Sequence, residues 1–183
     1  MQNWTFKLNE ISRNILTDFG ELTSEQLNWK PNSNTWSIAQ NIEHLIVVNE
    51  TYYPVFASLK MGTYKTPFIA KIGFMVSFLG KTVLNAVQPD RKKKMKTFPI
   101  WEPTTSNVIS DIINKFQNHQ NELIQKIEDL KGIIGKGIVI SSPANKNIVY
   151  KLETAFDIII SHEQRHLEQA KEVLQLVKNN TSH

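Results

Sequence analysis

Two histidines four residues apart, His162 and His166, stand where a helix's apolar stripe calls for aliphatic side chains. The stripe runs Leu152, Ala155, Ile159, His162, His166, Ala170, Val173 and Val177, in steps of three or four residues. A buried imidazole without a partner is costly, and at this spacing two imidazoles on one helix face can converge on one metal ion. With Glu163 the string His162-Glu163-Gln164-Arg165-His166 has the form H-E-x-x-H. A zinc protease built on that string takes its third ligand from downstream. Here only 17 residues follow His166, and Glu168 and Glu172 are too close along the helix to reach back. Gln169 stands where the extended motif needs glycine, and no substrate-binding strand is evident upstream. The protease reading is therefore set aside.

A third ligand must come from another helix. His44, beside Asn41 and Val48 at the shoulder of an apolar stripe, is one candidate; His119, between Phe116 and Leu123, is the other, with edge packing or a hydrogen bond as its competing role. His183 ends a polar tail and is not a candidate. Helix faces pack about 8–10 Å apart, within imidazole reach of a shared ion. Three neutral histidines on one side of an ion leave positions open for water or substrate, the layout of a catalytic rather than a closed structural site. Glu163 is a candidate base or orienter. One residue after a ligand, however, it points about 100° away around the helix, and a surface or rim carboxylate is the competing reading. Asn41 and Glu43 stay without an assigned role.

The elements that must position these residues read as helices nearly throughout. Trp4, Leu8, Ile11, Ile15 and Phe19 mark a first helix that Gly20 ends. Thr23 with Gln26 three residues on forms a capping-box pattern for a short turn closed by Pro31. A second helix is expected from an N-cap at Thr35, with Ile38, Ile42, Leu45, Tyr52 and Phe56 inward and Pro54 as a kink or boundary. The connection from Gly62 to Pro103 is too long for a bare link and is expected to hold a helical segment. Pro103-Thr104-Thr105-Ser106 should open the third helix, with Ile109, Ile112, Phe116, Leu123, Ile127 and Leu130 inward and Gly132 as its stop. Residues 132–147 read as a loop with one extended piece, and the last helix as 152–177. The expected fold is all-α: a four-helix bundle with a long connection between helices 2 and 3, one domain over 1–178 and a polar tail at 179–183.

Composition narrows the chemistry. The chain has no cysteine, so disulfide scaffolds, zinc fingers, iron–sulfur clusters and cysteine nucleophiles are excluded. A formal charge of +4 suggests a polyanion partner, yet Arg91, Lys92, Lys93, Lys94 and Lys96 supply five of the 21 basic residues. The other 16 face 17 acidic residues. A solvated loop between Pro89 and Pro99, lacking interleaved aromatics, is the reading of that run, and nucleic acid is not expected as a partner. The N-terminus has no apolar signal core, which favours the cytoplasm. In the stretch Phe68 to Val87 only nine residues, Ile72 to Gly80, separate Lys71 from Lys81. A membrane span needs about 20 apolar residues, so this stretch is expected to be buried or to cover a pocket, and no membrane partner is expected.

Trp36-Ser37-Ile38-Ala39-Gln40-Asn41-Ile42-Glu43-His44-Leu45, followed far downstream by His162-Glu163-Gln164-Arg165-His166-Leu167-Glu168-Gln169, resembles the DinB-like superfamily of metal-binding four-helix bundles. The run-up Leu22-Thr23-Ser24-Glu25-Gln26-Leu27-Asn28-Trp29-Lys30-Pro31 is similar to that family's as well, so the resemblance covers essentially the whole chain. It implies His44, His162 and His166 as ligands of a divalent ion, commonly zinc or nickel, and a homodimer. It also implies activities on small-molecule substrates: thiol-dependent transfer or isomerisation, or metal-dependent hydrolysis. The leading expectation is an S-transferase in which the ion lowers the pKa of a low-molecular-weight thiol for attack on a small electrophile. The alternatives are a hydrolase that activates water and a non-catalytic bundle that keeps the metal as a staple. Phe74-Met75-Val76-Ser77-Phe78-Leu79 matches no thiol-recognition motif of that family.

Overall fold

The apolar stripe Trp4, Leu8, Ile11, Ile15 and Phe19 is buried along α1 (Trp4–Phe19). The structure is a computed structural model and describes residues 3–90, 101–103, 107–108 and 111–180. The helix α2 (Ser24–Asn28) opens on the expected capping box: the Thr23 hydroxyl accepts the Gln26 N–H at 3.2 Å, and Gln26 Oε1 accepts the Thr23 N–H at 2.9 Å.

The same device moves the start of the next helix. α3 (Ile38–Glu50) is capped by Ser37 rather than Thr35, because Gln40 three residues on can reciprocate; each side chain accepts the other's backbone N–H at 3.1 Å. Three residues after Thr35 stands Ile38, which has nothing to return, and Thr35 bonds Asn32 instead. Pro54 is the boundary expected. The chain turns at Thr51 and Tyr52 and re-enters helix as α4 (Tyr53–Lys60), with Pro54 in the first turn where no N–H is needed.

The long connection does hold helix: a 3-10 turn at Phe68–Lys71 and then α5 (Gly73–Ala86). It is not the buried segment its apolar run suggested. Of α5 only Val76 and Gly80 are buried, while Phe68, Phe74 and Phe78 are exposed. Gly80 is needed for the contact with the following hairpin, since a Cβ there would lie 2.9 Å from Tyr150 Cβ.

α6 (Ile112–Asp129) begins later than the opening expected at Pro103 and buries Ile112, Phe116, Leu123 and Ile127. Residues 104–106, Ile109, the basic run 91–96 and His183 lie outside the described residues. Where a loop was expected, β1 (Val139–Ser142) pairs antiparallel with β2 (Asn145–Lys151). The β-branched run Ile138-Val139-Ile140 suits a strand, and Gly135 and Gly137, at φ 83° and 70°, shape the approach to it. Ile140 and Tyr150 on one face of the hairpin and Val149 on the other are fully buried, and the Tyr150 hydroxyl meets that of Tyr52 at 2.8 Å.

β2 passes straight into α7 (Leu152–Asn180) with no residue between them, and the Leu152 N–H bonds the Ile138 carbonyl at 2.9 Å. α7 packs against α1, α3 and α5, and α6 packs against α1 and α3. The described residues are mostly helical, with this one two-stranded sheet. None of their helices is long and apolar enough to cross a membrane.

Candidate metal centre

One turn of α3 and one of α7 bring three imidazoles together. His44, His162 and His166 each offer a ring nitrogen within 4.8 Å of the other two, the one group of three or more such donors among the described residues. The ring centroids of His162 and His166 lie 4.6 Å apart, and those of His44 and His166 also 4.6 Å apart.

Hydrogen bonds decide which nitrogens face inward. His44 Nδ1 donates to the Trp101 carbonyl at 2.6 Å, and His166 Nδ1 donates to Asn41 Oδ1 at 2.8 Å. A neutral imidazole carries one N–H, so both rings present a bare Nε2 lone pair. Asn41 cannot offer the wrong end of its amide, because its Nδ2 donates to the Ser37 carbonyl at 2.9 Å. The His162 Nε2 lies 3.3 Å from that of His44. Its Nδ1 is buried with no hydrogen-bond partner among the described residues. Lone pairs converging on one point fit a cation between them, and the outward N–H groups fix the ligand tautomers.

Burial does the rest. It pushes the pKa of His44 down, only partly offset by the Trp101 carbonyl. It drives His162 down to about 3, helped by the neighbouring His44 and Arg165, and His166 well below its ordinary value, helped by His162, His44 and Arg165. All three are neutral at pH 7, the form that binds metal. Trp36 stacks on His166 at 5.7 Å between centroids and closes one wall, whereas His162 keeps part of its surface exposed. Arg165 Nη1 donates to the Ala86 carbonyl at 2.9 Å, which ties the end of α5 to the same turn of α7.

A family model of the DinB superfamily matches residues 8–170, nearly the whole chain. The chain belongs to the DinB superfamily. No match emerges among curated proteins or among solved structures.

The position of Glu163 in this DinB-superfamily protein corrects the reading of a surface or rim carboxylate. It is fully buried and turned away from the three histidines, as its place on the helix requires. Oε1 accepts from Asn49 Nδ2 at 2.7 Å and Oε2 from Gln120 Nε2 at 2.8 Å. Asn49 Nδ2 also lies 3.3 Å from His119 Nε2, and His119 Nδ1 lies 3.0 Å from the Tyr53 hydroxyl. His119 therefore takes the hydrogen-bonding role and stands outside the metal-capable cluster. This second network joins α3, α4, α6 and α7 through buried polar groups. Burial raises Glu163 to about 8 despite the two amide donors, and lowers His119 to about 4 despite Glu122.

Asn49 and Gln120 are site residues that sequence reasoning missed. Their signal was the one that exposed the histidines. Asn49 interrupts the stripe Ile42, Leu45, Tyr52 and Phe56, and Gln120 interrupts Phe116, Leu123 and Ile127. Asn41, left without a role from sequence, orients His166. A surface groove lined by Lys7, Glu10, Asn14, Gln164 and Leu167 contains none of the three histidines.

Asn41→Ala leaves the His166 N–H without its acceptor and frees the ring to turn. The expected result is a metal dissociation constant raised about 10- to 100-fold with the helical content unchanged. Titration against a chromophoric chelator measures it, and an unchanged constant would show that Asn41 does not orient the ligand.

Proposed function

We propose that this protein is a metal-dependent enzyme that transfers a low-molecular-weight thiol to a small electrophile. The observation that carries the reading is the pair of engaged Nδ1 atoms, which leaves His44 and His166 with their Nε2 lone pairs turned toward His162. We read the packing of α1, α3, α6 and α7 as a four-helix bundle with the histidines between α3 and α7. His44, His162 and His166 would hold a divalent ion, zinc or nickel. When bound, the ion supplies a Lewis acid that lets a thiol at an open position lose its proton near neutral pH.

The chain's own residues do the remaining work. Three neutral ligands leave the ion's positive charge uncancelled, which favours an anionic sulfur beside it. Trp36 and the Trp101 backbone close the side behind His44 and His166. The partly exposed edge of His162 is the way in. In the transfer a carbon–sulfur bond forms as the bond from carbon to the leaving group breaks, and the thiol's proton passes to solvent. With no cysteine in the chain, the sulfur must be brought in.

The hydrolase alternative would use the same ion to lower the pKa of water toward about 7, with the proton again passing to solvent. Among the described residues no carboxylate joins the three histidines, and Glu163 is committed to Asn49 and Gln120, so neither nucleophile has a carboxylate base beside it.

The test is incubation of zinc- or nickel-loaded protein with an aryl halide and a panel of cellular thiols, followed by mass analysis. At least one thiol conjugate should form more than tenfold faster than with His162→Ala. Ester or amide cleavage without turnover of any thiol would replace this reading with the hydrolase.

A further inference from the structure

The connection between α4 and α6 contains a surface that the metal site does not explain. Val76 and Gly80 are buried, and Gly80 lies against Tyr150 and Thr154 where α5 packs on the hairpin and on α7. Four residues apart on the opposite side, Phe74 and Phe78 are 73% and 64% exposed. Phe68, just upstream, is 78% exposed. Large aromatic side chains held outward by a helix whose other face is already packed mark an interaction site.

The charges around them identify what it meets. On α5, Phe74, Phe78 and Lys81 follow one another at spacings of four and three residues and share one face, and Lys71 ends the 3-10 turn just before it. The lysines are exposed, and Lys71 Nζ rests 5.1 Å from the Phe68 ring centroid. From Thr51 to Pro89 the chain has four lysines and no carboxylate. Lys60 pairs with Asp129, whereas Lys65, Lys71 and Lys81 form no ion pair among the described residues. A second copy meeting this face across a two-fold axis would bring lysines against lysines with no acid from the segment to answer them.

We propose that α5 and the preceding turn dock on the surface of an anionic phospholipid bilayer. The three phenylalanines enter the boundary between headgroups and acyl chains. Lys65, Lys71 and Lys81 lie flat on their apolar stems and reach the lipid phosphates. This departs from the sequence-based expectation of no membrane partner, which concerned spanning segments.

Flotation of the full chain with phosphatidylcholine vesicles, with and without phosphatidylglycerol, tests this. The protein should float with the phosphatidylglycerol vesicles and not with phosphatidylcholine alone, and high salt should release it. Combined Phe68→Ser, Phe74→Ser and Phe78→Ser changes should lower partitioning at least tenfold, with an unchanged circular dichroism spectrum. Combined Lys65→Glu, Lys71→Glu and Lys81→Glu changes should lower it about 100-fold, at roughly fivefold for each cation lost. Absence of wild-type binding overturns the proposal. So does binding that the phenylalanine changes leave intact, since other basic segments would then be responsible. A wild-type dimer that those changes split into monomers, without any vesicle binding, overturns it in favour of a second copy.

Discussion

His162→Ala is expected to weaken metal binding on the order of a thousandfold while the metal-free protein stays folded. Loss of a group that merely orients a ligand costs about 10- to 100-fold, and here one of three ligands disappears. The small effect on the fold follows from the same geometry. The His162 Nδ1 has no partner among the described residues, so alanine removes only the long 3.3 Å contact between its Nε2 and that of His44, and the side chain is partly exposed. A loss of about 1 kcal/mol in the metal-free protein is in keeping with such a position.

His166→Ala should match it in metal affinity but cost more stability, because Asn41 Oδ1 loses its donor. Competition for zinc against a chelator and thermal melts with and without chelator read the two effects separately. Stoichiometric metal retained by His162→Ala would remove the three-histidine site. A metal-free wild type that does not fold would show the ion to be a staple.

The second large effect belongs to Glu163→Ala, expected to cost about 3–5 kcal/mol and to lower the melting temperature by roughly 10 °C. Asn49 Nδ2 and Gln120 Nε2 would both lose a buried acceptor, each at about 1–3 kcal/mol, and a cavity would remain. Glu163→Gln keeps the shape and separates the charge. In the wild type the folded value is about 8 against an ordinary 4.5, so between these limits the folded state holds a proton that the unfolded chain has lost. This contribution is complete below 4.5 and is lost as pH rises toward 8, by up to about 1.4 kcal/mol per pH unit.

The glutamine variant lacks that slope. Its stability relative to wild type should rise between pH 5 and pH 8 in denaturant titrations, and a difference that stays flat would show Glu163 to be ionised in the fold. His119 acts in the opposite sense. Lowered to about 4 from 6.5, its contribution is present above 6.5 and is lost as pH falls toward 4.

Periodicity placed α1, α3 and α7 because their buried stripes are continuous and their inward residues large. It also brought out the two histidines of α7, since a polar residue on such a stripe is conspicuous. The same signal was available at Asn49, Gln120 and Glu163. It was not read because no two of them share a helix, and only packing joins them. The start of α3 turned on which of Thr35 and Ser37, two residues apart, had a glutamine three positions on. The hairpin was legible only in its first strand. Asn145-Lys146-Asn147 are exposed and polar, and their strand conformation comes from pairing with Val139–Ser142 rather than from their own preference. The outward face of α5 was hidden for the reverse reason. Hydropathy reports how apolar a segment is, not whether the fold supplies enough neighbours to cover it.

The direct passage of β2 into α7 makes the hairpin a key for the metal centre. A strand sets residues alternately inward and outward, and a helix advances each residue by about 100°. Without a linker, the pleat that seats Tyr150 against Tyr52 also sets the rotational phase at which α7 begins. That phase is carried without slack along about three turns to His162 and about four to His166. One residue inserted or removed at the junction would turn both imidazoles about 100° from His44 while leaving every residue of the site intact. An inserted residue would leave that phase intact in the turn at one end of the hairpin and destroy it at the other, as if the strand were the indexed end of a shaft.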